Sequence, residues 1–229
     1  MAEFPRLQVA GEAALIVYLA EKNSPELSNR VLGLETALRD ALGDCLVDLI
    51  PSYASLLVLF DTQHTDHFHV SHCVREALAS PLDARESQGR LIEIPAYYHP
   101  EVGEDIEALG ERSGLGWEGV AEVHASCEYR VYAIGFAPGF AYLGDVDERI
   151  AAPRLATPRT KVPRGAVAIA DRQTAVYPAP SPGGWNLIGR SALRMFDPAA
   201  DEPMPVRVGD RVRFTPIDRA RFLDMGGTL

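Results

Sequence analysis

Gly135-Phe-Ala-Pro-Gly-Phe-Ala-Tyr-Leu-Gly144 follows a strand-like run at 129–136 and opens the stretch that decides the fold. From Gly135 to Gly189, 55 residues hold 7 of the chain's 17 prolines and 7 of its 19 glycines. Short β-type segments interrupt them at 166–170, 174–177 and 185–191. Residues 206–217 close the pattern, with Gly209-Asp210 expected as a turn between two strands. Short strands separated by dense turn chemistry read as a β-barrel or sandwich.

The preceding residues have another character. Segments 4–10 and 13–19 read as strands around Gly11. Ser24 is placed to cap a helix, Pro25 suits its first position, and Leu27, Val31, Leu34, Leu38 and Leu42 recur at helical spacing before Gly43. Segments 45–51 and 55–60 are strand-like. Thr65 is expected to cap a second helix carrying Val70, Val74, Ala77 and Leu78 and ending near Pro81, and residues 90–95 read as a strand. Two short helices, 104–112 and 117–126, come next. The expectation is an α+β protein: a small N-terminal α/β sandwich over 1–94, then a β-barrel domain over 95–229.

Charge follows the same division. Residues 1–128 carry 22 acidic and 8 basic side chains, a balance of −14, whereas 149–194 carry 8 basic residues against Asp171 alone, a balance of +7. The net charge of −10 argues against nucleic-acid or polybasic membrane binding. Apolar runs are too short for a membrane span. Cys45, Cys73 and Cys127 are far apart and odd in number, which fits neither a disulfide framework nor a zinc finger. With no secretory pattern at the start, a cytoplasmic protein with reduced thiols is expected.

Four groups of residues carry candidate chemistry. The Pro138-Gly139-Phe140 bend reads either as an aromatic-walled pocket or as a packed turn. Arg159, Lys161 and Arg164 place three cations in six residues between prolines, suited to a small anion or to a solvated loop. Gln173, Tyr177, Ser181 and Trp185 mix polar and aromatic groups in a glycine-opened loop; none is a strong nucleophile without an adjacent base. His124 lies on the apolar face of its helix, as a core residue or as a proton carrier. His64, His67, His69 and His72, beside Asp61 and Asp66, match no metal-binding motif, and a polar loop with a helix start is the expectation.

Taken together, Gly135–Gly144, Pro153-Arg154, Pro158-Arg159, Val162-Pro163, Gln173-Thr174, Tyr177-Pro178, Ser181-Pro-Gly-Gly-Trp-Asn-Leu-Ile-Gly-Arg190 and Phe196-Asp-Pro198 form a motif string. It resembles the family of the B-type 5-oxoprolinase subunits, also known as allophanate hydrolase subunit 1 or the Kip-type sporulation-kinase-inhibitor family. It is similar as well to half of the carboxyltransferase domain of urea carboxylase. The resemblance implies that the barrel is cyclophilin-like. It implies a homologous partner of the C-type 5-oxoprolinase or allophanate hydrolase subunit 2 kind, with the A-type 5-oxoprolinase chain as a third, unrelated member. The implied reaction is ATP-dependent opening of 5-oxoproline to L-glutamate, with magnesium accompanying ATP and no metal site in this chain. On that reading His124 and Lys161 serve catalysis by proton transfer and charge stabilisation. Pro138, Gly139, Phe140, Arg159, Gln173, Tyr177, Ser181, Trp185 and Arg190 hold the substrate. Inhibition of a sensor histidine kinase and allophanate or urea processing are the alternatives that the family names imply. Two stretches depart from the family pattern: Ala96-Tyr-Tyr-His-Pro-Glu101, where the family has a small glycine-containing stretch, and Asp171-Arg172, where a glycine usually precedes the glutamine.

Overall fold

The computed structural model describes residues 4–22, 24–80, 82 and 89–229. The second helix ends at Ala79, close to the expected stop; Pro81 itself lies outside the described residues. The chain divides into two compact units, Met1–Gln88 and Gly89–Leu229.

In the smaller unit, β1 (Arg6–Val9), β2 (Ala14–Tyr18), β3 (Leu46–Ser52) and β4 (Ser55–Phe60) form an antiparallel sheet in the order β1-β2-β4-β3. Helices α1 (Pro25–Leu42) and α2 (His67–Ala79) cover one face. The sequence explains this locally. The Ser24 hydroxyl accepts a hydrogen bond from the Leu27 amide at 3.2 Å, and Pro25 occupies a position that has no donor to satisfy. Alternation along β2 and β4 sends Leu15, Val17, Leu56, Val58 and Phe60 into the same core as Val31, Leu34 and Leu38 of α1. The cap of α2 is Asp66 rather than Thr65. Asp66 Oδ1 accepts from His69 N at 2.9 Å, whereas the Thr65 hydroxyl takes no such bond, so the helix begins one residue later.

The larger unit contains β5 (Leu91–Ala96), α3 (Ile106–Ser113), α4 (Gly116–Ser126), β6 (Glu128–Ile134), β7 (Ala141–Gly144), β8 (Arg159–Val162), β9 (Ala166–Ala170), β10 (Gln173–Val176), β11 (Ser181–Gly183), β12 (Asn186–Arg190), β13 (Arg211–Pro216) and α5 (Arg219–Asp224). Seven strands form one sheet in the order β12-β9-β10-β7-β6-β13-β5, and β8 and β11 form a separate antiparallel ribbon. This mixed α/β architecture differs from the sequence reading in two places. β5, read as the last strand of the N-terminal layer before a boundary at 94/95, instead pairs in parallel with β13, from Leu91↔Arg211 to Ala96↔Pro216. Its apolar pattern suits either sheet, and only the partner more than a hundred residues downstream decides. Second, residues 206–210 are not a strand. The buried Asp210 carboxylate accepts from the Arg207 amide (2.9 Å), the Arg90 amide (3.1 Å) and the Arg90 guanidinium (2.8 Å), which curls the chain into a turn before β13.

The two edges of the seven-stranded sheet meet. Tyr97, just beyond β5, exchanges two 2.8 Å backbone hydrogen bonds with Arg190 at the end of β12. Further along, the Asp105 amide donates to the Leu187 carbonyl at 3.0 Å, and Asp105 Oδ2 accepts from the Leu187 amide at 2.6 Å. Both backbone groups on the outer side of Leu187 are thus satisfied rather than left as an open edge. The sheet is buried on both sides. Val167 and Ile169 of β9 join Val131, Val212, Phe214 and residues of α3 and α4 in one core. Ala166, Ala168 and Ala170 face a second core with Phe140, Tyr177, Trp185 and Val162 of the ribbon. Asp171, in the β9–β10 turn, adopts φ 51°, a left-handed conformation that glycine takes freely and aspartate tolerates. No helix among the described residues is long and apolar enough to cross a membrane.

The junction of the two edges depends on close backbone approach. A Cβ added at Gly103 would stand 2.4 Å from the Ile188 carbonyl carbon, and one at Gly189 would stand 2.6 Å from the Tyr97 oxygen. Gly189→Ala is therefore expected to destabilise the larger unit by about 1–3 kcal/mol, the usual cost of overpacking. Gly135→Ala, whose Cβ meets nothing within 4 Å, is the control and should stay within about 0.5 kcal/mol of the parent. Urea unfolding of the full chain measures both.

Candidate functional site

The signature loops build an aromatic cluster. Phe140 is 2% exposed, and its ring lies 5.2 Å from Tyr177, 5.5 Å from Trp185, 4.9 Å from Tyr142 and 5.2 Å from Phe136, all edge-to-face. Gly139, at φ 80°, lets the chain pass within 2.3 Å (Cβ-equivalent) of the Met195 carbonyl, and so turns Phe140 inward. Pro138 and Phe136 stay exposed at the tip of the bend. The β8–β11 ribbon packs against this cluster. The Tyr177 hydroxyl abuts Gly183 so closely that a Cβ there would lie 2.3 Å away. Desolvation raises the Tyr177 pKa, so it remains a neutral phenol.

Charge gathers where the ribbon meets the joined edge of the sheet. Arg159 Nη2 bonds Asp105 Oδ1 at 2.8 Å and its Nε bonds Glu104 Oε2 at 3.0 Å. Burial alone lowers the Arg159 pKa, but the two carboxylates outweigh it and the net shift is upward. Arg190 donates through Nη1 to the Thr228 carbonyl at 2.7 Å. Its pKa is lowered, chiefly by desolvation, with Glu104 acting in the opposite direction. Ser181 on β11 stands opposite Val162, and Arg159 stands opposite Gly183. Arg159, Ser181, Tyr177, Trp185, Arg190 and Phe140 thus belong to the ribbon and the sheet surface it meets. Glu104 and Asp105 are the members that sequence reasoning missed. They look like ordinary acids ahead of a helix, and nothing in their spacing signals a partner 54 residues away.

Other candidates lie apart from this group. Lys161 and Arg164 are exposed, as is Arg154, and none of the three makes an ion pair with the described residues. Gln173 starts β10, opposite Gly144 and Ala170, while Tyr177 follows the other end of the same strand. At about 3.3 Å per residue that places them roughly 13 Å apart, too far to grip one small ligand together. The four histidines of the smaller unit each have separate engagements. His64 bonds Asp61 at 2.8 Å, His67 the Gly11 carbonyl at 3.0 Å, His69 the Cys73 sulfur at 3.6 Å, and His72 lies 3.4 Å from Glu76. Among the described residues no group of three or more His, Cys, Asp or Glu side chains is arranged to hold a metal.

His124 is a core residue, the first of the two readings that its apolar helix face allows. It is 0% exposed, and rings of Phe214 (4.6 Å) and Tyr129 (5.1 Å) flank it. The Thr174 hydroxyl donates to the Ala168 carbonyl at 3.0 Å, so it accepts from His124 Nε2 at 2.8 Å. Nδ1 then accepts from the Tyr98 hydroxyl at 2.7 Å. Both ring nitrogens are occupied, and neither reaches the ribbon.

A family model described as carboxyltransferase domain, subdomain C and D, matches residues 5–206. The B subunit of 5-oxoprolinase from Bacillus subtilis (strain 168) is 35% identical over 227 residues, covering 95% of each chain. The crystal structure of TTHA0988 is 37% identical with a TM-score of 0.80, over 90% of this chain and 40% of that one. This chain therefore spans about two fifths of that longer protein. Kluyveromyces lactis urea carboxylase shares the fold with a TM-score of 0.75 at 18% identity, over 95% of this chain and 22% of its own.

The burial of His124 has a measurable consequence. Desolvation lowers its pKa to about 3, against an ordinary value of 6.5. Unfolding returns the imidazole to its ordinary value. The stability tied to the neutral ring is therefore complete above about pH 6.5 and is lost as pH falls toward 3. Between pH 7 and pH 5 the loss is expected to be about 2 kcal/mol. Denaturant unfolding at the two pH values should show it in the parent, and the difference should vanish in His124→Gln.

Proposed function

The chain belongs to the carboxyltransferase-domain, subdomain C and D family, and from that membership we propose that it is the B-type subunit of an ATP-dependent 5-oxoprolinase. The observation that carries this reading is the Bacillus subtilis relative of that name, which aligns over 95% of both chains. We take the larger unit to be a cyclophilin-like barrel, a reading supported by the joined edges of its sheet. The complex is placed in the cytoplasm, where a homologous C-type chain is the first partner and an A-type chain a further one. The much greater length of TTHA0988 supports a unit that works beside additional carboxyltransferase-like mass.

The reaction opens a lactam, a resonance-stabilised amide and a poor electrophile, which accounts for the coupling to ATP. Two helix N-termini of the larger unit do not suit a phosphate. The α3 N-terminus is preceded by Glu104 and Asp105 and carries Glu107, and the first turn of α4 carries Glu118, so both repel phosphate. No Gly-Lys-Ser/Thr turn is present. We propose that nucleotide and magnesium are bound by a partner subunit or shared with it. This chain supplies the aromatic wall of Phe140, Tyr177 and Trp185, the donors of Arg159, Ser181 and Arg190, and the cations Arg154, Lys161 and Arg164, which pair with none of the described residues. These cations face either the substrate's negative charge or an acidic surface of the partner.

Reconstitution with the C-type and A-type partners tests this. Glutamate release from 5-oxoproline is expected only with ATP and all partners present, and Lys161→Ala is expected to lower kcat/KM by about tenfold or more. Gln173→Ala is assayed beside it. Turnover of allophanate or urea in place of 5-oxoproline, capture of a histidine kinase and no carboxyltransferase-like partner, or unchanged kinetics in both variants would overturn the assignment.

A further inference from the structure

Four buried side-chain polar atoms among the described residues have no hydrogen-bond partner, and three of them lie in the larger unit: Arg159 Nη1, Ser181 Oγ and Arg190 Nε. Each can donate a hydrogen bond, and buried donors normally find acceptors. Strand pairing ties two of their carriers together, and the third follows in the chain. Arg159 and Ser181 sit on the two strands of one ribbon, and β12, which ends in Arg190, begins three residues after that ribbon's Gly183. Glu104 is bonded to Arg159, and its charge raises the pKa of Arg190 against the desolvation that lowers it. Tyr177 sits beneath, with its hydroxyl on Gly183 and its backbone bonded to Gly165 and Ala166, which adjoin Arg190.

The two acids at this place are not equivalent. Asp105 is fixed at both oxygens, by Arg159 and by the Leu187 amide. Glu104 is bonded only through Arg159, and its side chain is 64% exposed. One is part of the frame; the other is free to leave.

We propose that Arg159 Nη1, Arg190 Nε and Ser181 Oγ form a seat for the carboxylate of a small carboxylic-acid substrate, and that Glu104, held on Nε of the same Arg159, is the internal anion that competes with it for the guanidinium charge. A carboxylate has lone pairs for about four hydrogen bonds, enough for all three donors. Charge selects the ligand class. Both acids are bonded to Arg159 while Arg190 donates to the Thr228 carbonyl, so the two cations and two acids sum to zero and withdrawal of Glu104 leaves a single net positive charge, which suits a monoanion better than a phosphate. The identity of the acid, 5-oxoproline, rests on the function proposed above; the seat itself rests on the unpartnered donors.

The test is calorimetric titration of the full chain with 5-oxoproline, with 2-pyrrolidone (the same lactam ring without its carboxylate), with acetate and with inorganic phosphate. 5-Oxoproline is expected to bind about tenfold or more tightly than 2-pyrrolidone. Glu104→Gln should tighten 5-oxoproline several-fold, a gain that misfolding does not produce. Ser181→Ala and Arg190→Gln should each weaken it, the arginine change by about tenfold or more, with cooperative melting retained as the check on folding. Equal binding of 2-pyrrolidone, tighter binding of phosphate, or affinity unchanged in both Glu104→Gln and Ser181→Ala would overturn the seat. Acetate binding that responds to Glu104→Gln, with no binding of 5-oxoproline, would keep the seat and overturn the 5-oxoprolinase reading.

Discussion

Two hydrogen bonds between Tyr97 and Arg190 close the sheet of the larger unit. They join the strand at one edge of a seven-stranded sheet to the strand at the other. An open edge on β12 would present unpaired amides and carbonyls to any passing strand. Here residues 97–105 cover that edge, first with backbone at Tyr97 and then with backbone and carboxylate at Asp105. The glycines at 103 and 189 are the steric condition for this, because either Cβ would collide with opposing backbone. The Ala96–Glu101 stretch is therefore part of the clasp that closes the sheet.

That clasp also sets the electrostatics. By bringing residues 97–105 onto β12, it places Glu104 and Asp105 of the acidic half of the chain beside Arg159 and Arg190 of the basic stretch. The opposed balances of −14 and +7 are in part neutralised where they meet. The side chains divide into those that are consumed and those that are left. Arg149, Arg172 and Arg194 pair with Asp147, Glu148 and Asp197, whereas Arg154, Lys161 and Arg164 pair with none of the described residues. A basic run in sequence is thus two populations in space, one paired with acids at the surface and one without an acidic partner among the described residues.

What the sequence made legible was whatever local physics decides. Ser24, Pro25 and Gly43 bracket α1 because caps act over three or four residues. The alternation Ala-Val-Ala-Ile-Ala of β9 marks a strand buried on both sides, with small residues toward the ribbon and large ones toward the helices. What stayed hidden was partner choice over long separations. β5 reads identically whether it closes the first layer or runs parallel to β13. His124 was visible as a residue of an apolar face, but its hydrogen-bond partners, 26 and 50 residues away, were not. Arg159 read as a free cation because its acids lie more than fifty residues earlier.

The contrast between His124 and the arginines shows which kind of polar residue points to function. His124 is the more deeply buried and the more strongly perturbed, with its pKa lowered to about 3. Every one of its hydrogen-bonding atoms is nevertheless answered from within the fold, so its perturbation is a property of the core. Arg159 and Arg190 are less buried and less shifted, yet each keeps one donor unanswered after the fold has made its own bonds. A folded chain gains little by burying a donor and then leaving it unpaired, and loses the hydration that the donor had in water. Incomplete satisfaction, rather than depth of burial or size of shift, therefore separates a residue that finishes the protein from one that awaits a ligand. In this chain that distinction moves attention from the helix of His124 to the rim where the β8–β11 ribbon meets the closed edge of the sheet.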